Sequence, residues 1–300
     1  MGPSSDVTVV YQPEPLISIT KSIRKKKRNA MQMVRFGVMA LIGLLMIVPL
    51  LWMIITALLP LQEVFSYPPH LLPRHPQWMN WIKAWNYRPM GHYLFNSILV
   101  SGLIVCGQVI TASLAAYALA RIRFAGHKLA FWLIMLTLMV PTQVTFIPLF
   151  LTMKQLNWID SYLGLIVPFI GSAFATFWLY QAFQQVPRTI MEAAEVDGAS
   201  HFWIVFRIVL PLSKPSIISL MILNFVWHYN DFFWPLVVTQ SDTMRTVPLG
   251  LSFMLANDGS GTPWNLVSAA NIIAILPSLL LFIFGQKYFV SSAASSGVKG

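Results

Sequence analysis

The side chains best placed to do chemistry in this chain lie in the polar stretch of residues 187–215, which separates two long apolar runs. Three carboxylates, those of Glu192, Glu195 and Asp197, follow closely on one another, and the alanine pair 193–194 stands between the first two. Small alanine side chains would let another surface approach closely, and the carboxylates would offer it charge at the rim. The polar stretch is therefore predicted to bind the surface of a partner. A capped surface helix whose Glu192 satisfies only its own N-terminus is the competing interpretation.

Catalytic and nucleotide-binding motifs are missing from the sequence. It contains no G-x-x-x-x-G-K-[ST], no H-E-x-x-H and no G-x-S-x-G. Cys106 is the single cysteine, so neither a disulfide within the chain nor a cysteine-rich metal site is possible. We expect no catalytic residue, no metal ligand and no bound cofactor in this chain, so any hydrolysis that accompanies it belongs to another chain.

Local signals predict how the polar stretch folds. Pro187 suits a helix start, and Thr189 with Glu192 three residues later has the spacing of a capping box. Gly198 marks a stop, after which the apolar stretch 201–210 runs into Pro211. The prediction is two short helices with a bend at Gly198.

A second candidate site surrounds Asp231, the one acidic residue within an apolar run. Asn224, His228 and Asp231 have the i, i+4, i+7 spacing of one helical face, and Trp227 adds an aromatic ring beside them. A carboxylate at mid-bilayer costs about 2.5–3.5 kcal/mol on insertion scales, so it should face protein or water. The cluster either lines a solute path or bonds helices together, and the same two interpretations apply to Gln108 and Asn271.

The composition is that of a membrane protein with several spans. Hydrophobic residues make up 56% of the chain and charged residues 10%, and the mean hydropathy is +0.65, whereas a soluble domain has about a quarter charged residues. Six apolar runs are long enough to span a bilayer. We place them at Phe36–Leu59, Phe95–Ala120, Leu129–Leu151, Leu163–Phe183, Ser216–Val238 and Leu266–Phe284.

The distribution of basic residues predicts the orientation. With the N-terminus inside, 15 of the 20 Lys and Arg residues fall in cytoplasmic segments, as membrane topology requires. The net charge of +10 then needs no nucleic acid to explain it. The prediction is a basic cytoplasmic tail at residues 1–30, loose over residues 1–20, a six-helix transmembrane domain at 31–290, a cytoplasmic tail at 291–300, and both termini in the cytoplasm.

The long segment before the second span contains Trp78, Trp81 and Trp85, whose spacing puts them on one face of a short helix. Such a helix lies at the headgroups or offers a docking surface to an external partner, and the two roles are compatible.

The polar stretch resembles the EAA loop of ABC-importer permeases, through which the membrane subunit contacts its ATPase. The matching residues continue to the Leu-Pro pair, and the similarity runs from about residue 30 to the end, closest to the maltose-type second permease of the carbohydrate-uptake group. The resemblance implies an all-α type I importer permease with six transmembrane helices and a cytoplasmic two-helix coupling loop. The ATPase-coupling residues it implies are Glu192, Ala193, Ala194, Asp197, Gly198, Ala199, Leu210 and Pro211.

The same resemblance implies the partners and the location. The chain would sit in a bacterial or archaeal cytoplasmic membrane with a second permease subunit, an ABC ATPase dimer that holds ATP and magnesium, an extracytoplasmic solute-binding protein and lipid. It would form half of the path for a sugar or oligosaccharide. Glycerol-3-phosphate or its diesters are the alternative cargo. An ion-coupled secondary transporter is a further alternative, but such proteins typically carry several intramembrane ionisable groups rather than one, and it leaves the EAA loop unexplained. A non-transporting scaffold is the last alternative, and it has no need for a charged residue in a span.

Overall fold

The computed structural model describes the backbone of residues 15–70, 72–255 and 261–297, and the side chains of residues 31–70, 72–255 and 261–288. Within these ranges the chain forms helices joined by short turns, without β-strands. The helices are α1 Pro15–Leu58, α2 Met79–Tyr87, α3 Met90–Arg121, α4 His127–Thr137, α5 Thr142–Gln155, α6 Tyr162–Ile166, α7 Ala173–Gln184, α8 Arg188–Val196, α9 His201–Ile204, α10 Leu210–Leu212, α11 Lys214–Tyr229, α12 Phe233–Val238, α13 Val247–Leu255 and α14 Trp264–Gly297.

Helix α1 begins earlier than the sequence indicates. The loose tail expected over residues 1–20 is wrong for residues 15–20, which are helical, while residues 1–14 lie outside the described part. The reason is that the lysines and arginines before the apolar run are good helix formers. The chain divides after Ile55 into two compact units, so α1 up to that residue is a unit by itself.

The expected spans are present as single or bent helices. Three helical segments, Met31–Leu58, Met90–Arg121 and Trp264–Tyr288, are long and apolar enough to cross a membrane alone. Three helix pairs become spans only if each bent pair is counted as one, with bends of 95° between α4 and α5, 42° within residues 162–184, and 85° between residues 201–212 and α11. The first bend falls at Pro141, which is the N-cap of α5.

The predicted fifth span, Ser216–Val238, is wrong as one continuous helix. Helix α11 ends at Tyr229, and α12 starts only at Phe233. Helix α13, which the sequence analysis did not predict, follows at Val247–Leu255. The cause is tertiary, because the segment after Tyr229 turns to bury Trp234 against α6, where the indole Nε1 donates to the Gly164 carbonyl at 2.9 Å.

The core forms where α3 crosses α7, α11 and α14. Alanines 112, 116 and 175 are fully buried between α3 and α7, and small side chains of this kind let membrane helices approach closely. A second cluster joins α2, α13 and α14 to the start of α3. There a Cβ on Gly250 would lie 2.2 Å from the Tyr93 ring, so only glycine permits the approach.

The C-terminal segment is helical up to Gly297. Helix α14 continues through the predicted tail to Gly297, and residues 298–300 lie outside the described part. The serines and alanines at 291–296 are compatible with a helix that has already been started by the apolar residues before them.

Candidate functional site

The polar stretch folds as a helical elbow, which we call the coupling loop (residues 187–213). Helix α8 ends at Val196, and Gly198 has φ +82°, a left-handed conformation that side chains with a Cβ rarely adopt. Residues 201–212 then form a second arm, of which Val205–Val209 is a π-helical turn. The two-helix prediction with a bend at Gly198 is confirmed.

The predicted capping box does not form. The N-cap of α8 is Pro187, and no side chain accepts a hydrogen bond there. Thr189 already lies within the first turn of α8, so it stands past the position from which a capping side chain acts. The second arm is capped instead, because the Ser200 hydroxyl accepts a hydrogen bond from Trp203 N at 3.3 Å.

One face of the coupling loop is anchored in the core. Met191, Ile204, Val205 and Val209 are buried in the cluster that joins α3 and α7. Arg121, at the end of α3, donates to the carbonyls of Phe183 and Val186 and so ties α3 to the segment that enters the loop. The loop is therefore packed against α3 and α7 and tied to the end of α3.

The other face of the coupling loop is exposed. Glu192, Ala193, Asp197, Gly198 and Pro211 are exposed, while Ala194, Ala199 and Leu210 are half-buried. Val196 is 88% exposed, and the rings of Phe202 and Trp203 are exposed on the second arm. An acidic rim around exposed apolar side chains is the composition of a surface that binds another protein.

A cleft of about 720 Å³ lies beside α8 and is lined by side chains of both positive and negative charge. Arg121, Arg123 and Arg188 face it together with Glu192 and Glu195. On its wall the His201 Nδ1 atom lies 3.1 Å from the Tyr117 hydroxyl and 3.8 Å from the Glu195 carboxylate. The second arm thus contacts both α8 and α3 through one imidazole.

The second predicted site is only partly assembled. Asn224 is 8% exposed and its Nδ2 donates to Gln108 Oε1 at 2.6 Å. The same glutamine approaches His228 Nε2 at 3.0 Å through its own Nε2, which also donates to the Phe169 carbonyl at 2.8 Å. These contacts join α3, α11 and the turn after α6, and their polar groups are engaged with one another inside the bundle.

Trp227 and Asp231 are not part of that cluster. Trp227 is 76% exposed and lies on another side of α11. Asp231 lies beyond the end of α11, where its Oδ1 accepts hydrogen bonds from Phe233 N at 3.1 Å and Trp234 N at 3.5 Å. The expectation that Asp231 shares a face with Asn224 and His228 is wrong, because the helix stops at Tyr229 and the i, i+7 relation no longer holds.

The structure shows a cleft near this end of α11 that the sequence analysis did not identify as a unit. It has a volume of about 380 Å³ and lies between the end of α11, α13 and α14. We call it the outer cleft because it lies at the end of α11 that is remote from the coupling loop; its polar and aromatic lining residues are Tyr229, Asn230, Phe232, Ser252 and Asn271. Asn271 was already a candidate because an amide within an apolar run needs a partner, but the contribution of α13 had no signal in the sequence.

The segment between α12 and α13 is held by a dense set of hydrogen bonds. Asp160 Oδ1 accepts from Gln240 N at 2.9 Å, and from Ser241 N and Ser241 Oγ at 3.0 Å each. Partial burial would raise the pKa of the Asp160 carboxyl, but these bonds and the attraction of Arg245 outweigh it, so the pKa is lowered from its ordinary value. The carboxylate therefore stays charged and clamps the segment.

Helix α2 bears the predicted tryptophan face. Trp78 precedes the helix and is exposed, Trp85 is exposed, and Trp81 is half-buried. Trp85 also lines a cleft of about 780 Å³ together with Tyr87 and His92. Both the interfacial and the docking interpretation of this face stay predictions.

Metal chemistry has no visible site in the part of the chain with described side chains, where no three His, Cys, Asp or Glu residues come close enough to hold an ion.

The chain matches the family described as "Binding-protein-dependent transport system inner membrane component" over residues 108–294. It is 36% identical over 266 residues to the sn-glycerol-3-phosphate transport system permease protein UgpE of Yersinia enterocolitica, which covers 86% of this chain and 95% of that protein. It is 38% identical over 208 residues to the arabinooligosaccharides transport system permease protein AraQ of Bacillus subtilis, which covers 69% of this chain and 73% of that one.

A solved structure has the same fold. It is a bacterial ABC transporter involved in the import of the acidic polysaccharide alginate, and it matches with a TM-score of 0.78 and 21% identity over 88% of this chain and 98% of that chain. The chain therefore belongs to the family of inner-membrane components of binding-protein-dependent transport systems and has the type I ABC importer permease fold. This membership favours ATP-driven import over the ion-coupled alternative.

Proposed function

We propose that this family member is one of two permease subunits of an ATP-driven sugar or oligosaccharide importer, and that its coupling loop binds the ATPase. The observation that carries the proposal is the two-sided loop. One face is buried against α3 and α7, and the other exposes an acidic rim around Val196. A segment that links the ATPase to the helical bundle needs one face for each of them.

The residues proposed to contact the ATPase are those that the EAA resemblance implies. Their exposure supports the role, because Glu192 and Asp197 make no ion pair within the described side chains and are free to meet a basic surface. ATP and magnesium would be held by the ATPase dimer, and an extracytoplasmic binding protein would deliver the cargo. In this arrangement the coupling loop and both termini lie in the cytoplasm.

A second candidate cargo is sn-glycerol-3-phosphate. The similarity to UgpE is the specific observation in its favour, since that relative covers most of this chain. The arabinooligosaccharide relative supports the first candidate in the same way. The permease mechanism is common to both, so the coupling loop can be tested without knowing the cargo.

Purification of the tagged chain from its own membranes is the first test. We expect an ABC ATPase, a second permease and a solute-binding protein to co-purify with it, and the purified assembly to hydrolyse ATP faster when the binding protein is added. Isolation of the chain without an ATPase would contradict the proposal.

The bend at Gly198 gives a sharper test. A Cβ there meets nothing within 4 Å in this chain, so a substitution acts on the backbone, where a left-handed residue with a Cβ costs about 1–2 kcal/mol. Gly198→Val should keep membrane insertion but uncouple ATP hydrolysis from uptake. Gly198→Asn is the matched control, because asparagine tolerates this conformation better. Normal uptake by the valine variant would count against the coupling role.

Orientation can be measured by cysteine labelling in a Cys106→Ser background. Exposed positions suit this purpose, and Pro76 and Ala125 are both exposed. We expect Pro76→Cys to react with an impermeant reagent from outside the cell and Ala125→Cys to react only after the membrane is opened. The reverse pattern would overturn the proposed topology.

A further inference from the structure

The outer cleft has a lining that selects for one ligand chemistry. Among the described residues that line it there is no Asp, Glu, Lys, Arg or His. Arg245, two residues before the lining residue Val247, does not supply a free cation, because it pairs with Asp242 and stacks on the Phe253 ring at 3.8 Å. A ligand in the cleft would therefore meet no compensating charge from these residues.

Each polar lining group already uses a donor within the chain: both hydroxyls use their single one, and each amide uses one of its two N–H groups. Asn230 Nδ2 donates to the Val226 carbonyl at 2.7 Å and Asn271 Nδ2 to the Val267 carbonyl at 2.9 Å. The Ser252 and Tyr229 hydroxyls donate to Leu249 O and Ala274 O, both at 2.7 Å. The side-chain oxygens of these four residues accept no hydrogen bond within the described part of the chain.

The cleft therefore presents mainly acceptors beside aromatic and aliphatic surface. A polyhydroxylated molecule has the complementary chemistry, because its hydroxyl groups donate to these oxygens while its C–H faces pack on Phe232 and the aliphatic lining. A phosphate or carboxylate would face these oxygen lone pairs and at most one N–H from each asparagine, with no cation among the described lining residues, and an unpaired charge removed from water is strongly disfavoured. Lipid tails would leave the amide oxygens unsatisfied as well.

The location of the cleft is consistent with a solute-binding site near the entrance of the translocation path. It lies at the end of α11 remote from the coupling loop, and the 16 residues of this helix span about 24 Å at 1.5 Å per residue. With the coupling loop in the cytoplasm, the cleft is in the outer half of the membrane. A solute released outside would reach it before the inner end of the bundle.

We propose that the outer cleft is a binding station for an uncharged polyhydroxylated solute on this subunit, with Asn230, Ser252 and Asn271 as its hydrogen-bond acceptors. This inference rests on the proposed permease function and deepens it, because it selects the neutral saccharide over the phosphate ester as cargo. The site differs from the cluster of Asn224 and His228, whose polar groups are engaged with Gln108.

Thiol chemistry tests the cleft without knowledge of the cargo. Ser252→Cys in the Cys106→Ser background is a near-isosteric probe, to be studied in the assembled transporter in proteoliposomes. We expect it to react with a neutral methanethiosulfonate at least 10-fold faster than with an anionic one, after both rates are normalised to those of free 2-mercaptoethanol; a tenfold ratio corresponds to about 1.4 kcal/mol. Asn86→Cys, at an exposed position of α2, shows that both reagents reach the protein.

Three results of this labelling would overturn the proposal. Equal normalised rates would mean that the cleft does not discriminate by charge, and a faster anionic reagent would mean that a cation is supplied from elsewhere. No reaction with either reagent, beside normal reaction of Asn86→Cys, would mean that the partner permease or lipid covers the cleft.

Transport measurements test the choice of cargo. With the full assembly and its binding protein, we expect uptake of labelled arabinotriose and not of labelled sn-glycerol-3-phosphate. Asn271→Leu should lower sugar uptake about 10-fold, the effect of one lost hydrogen bond of about 1.4 kcal/mol. Gln286→Leu is the matched control, because this exposed amide also bonds its own helix, through Ile283 O at 3.1 Å, but lies outside the cleft.

Failure of this inference is distinguishable from failure of the proposed function. An assembly that couples ATP hydrolysis to uptake of sn-glycerol-3-phosphate would overturn the inference and leave the permease function standing, and so would unchanged sugar uptake in Asn271→Leu. An assembly without an ATPase, or without ATP-dependent uptake, would overturn both.

Discussion

The two ends of helix α11 differ in how their polar side chains are used. At its start, the coupling loop leaves Glu192 and Asp197 exposed and without an ion pair among the described side chains. At its far end, Asn224, His228 and Asp231 are bonded to other parts of the same chain. Polar groups that act on a partner have to stay available for it, whereas groups that hold helices together in a membrane have to be satisfied internally.

This difference predicts that substitutions at the two ends fail in different ways. Changes in the coupling loop should impair assembly with the ATPase or transport while the chain itself stays folded. Changes in the cluster around Gln108 should lower the stability of the chain before they alter transport. The four experiments below test this contrast from the largest expected effect to the smallest.

Charge reversal at Glu192 should have the largest effect. If this carboxylate meets a basic residue of the ATPase, Glu192→Lys places like charges together, and loss of a buried charge pair costs about 2–5 kcal/mol, or roughly 30-fold or more in affinity. The measurement is the amount of ATPase retained on the purified, tagged chain. Glu192→Gln should retain an intermediate amount, and Glu63→Lys, a reversal between α1 and α2, should retain the normal amount. Equal retention by all variants would remove Glu192 from the interface.

Asn224→Leu should destabilise the chain itself. It leaves Gln108 Oε1, now bonded at 2.6 Å, without its partner in the bundle, and an unsatisfied buried acceptor costs about 1–3 kcal/mol. The thermal unfolding midpoint of the purified assembly should fall. Leu223→Ala, a truncation at an exposed neighbour on the same helix, serves as the control. An unchanged midpoint together with lost uptake would instead assign Asn224 to the solute path and break the contrast between the two ends.

The effect of substituting Asp231 should depend on whether the new side chain keeps an acceptor oxygen. Its Oδ1 accepts from the backbone of Phe233 and Trp234 at the start of α12, and loss of such a cap costs about 1 kcal/mol. We expect Asp231→Asn to retain normal yield and uptake, and Asp231→Leu to give a lower yield. Slow uptake by Asp231→Asn at normal yield would show that the charge serves transport rather than the fold.

Asp160→Asn should have the smallest effect. Asp160 has φ +56°, which asparagine also tolerates, so the substitution removes the charge and keeps the backbone. Because the pKa of Asp160 is lowered in the folded chain, its stabilisation is fully present above the ordinary carboxyl pKa of about 3.9 and is lost as the pH falls through the lower folded value. The melting temperature should be slightly lower than that of the wild type, by the same amount at pH 5 and pH 8. A difference that grows between these pH values would implicate another titrating group.

Signals within a few residues determined the coupling loop. Local propensity predicted a short helix that contains the acidic residues and the alanine pair and stops at Gly198, and the structure has α8 at Arg188–Val196 with the bend at Gly198. The apolar runs likewise predicted an all-helical membrane protein. Length and hydropathy depend on the residues of each segment alone, so no knowledge of the neighbours was needed.

The far end of α11 was decided by tertiary packing. Helical periodicity continued through Asp231 because nothing in the local sequence ends the helix at Tyr229. The chain turns there because Trp234 finds a buried partner in α6, about 70 residues away in sequence. Asn271 faces the outer cleft only because α13 packs beside α14. Contacts between segments so distant in sequence leave no periodic trace in either one, which is why the sequence supplied the polar residues and only the fold decided which of them meet.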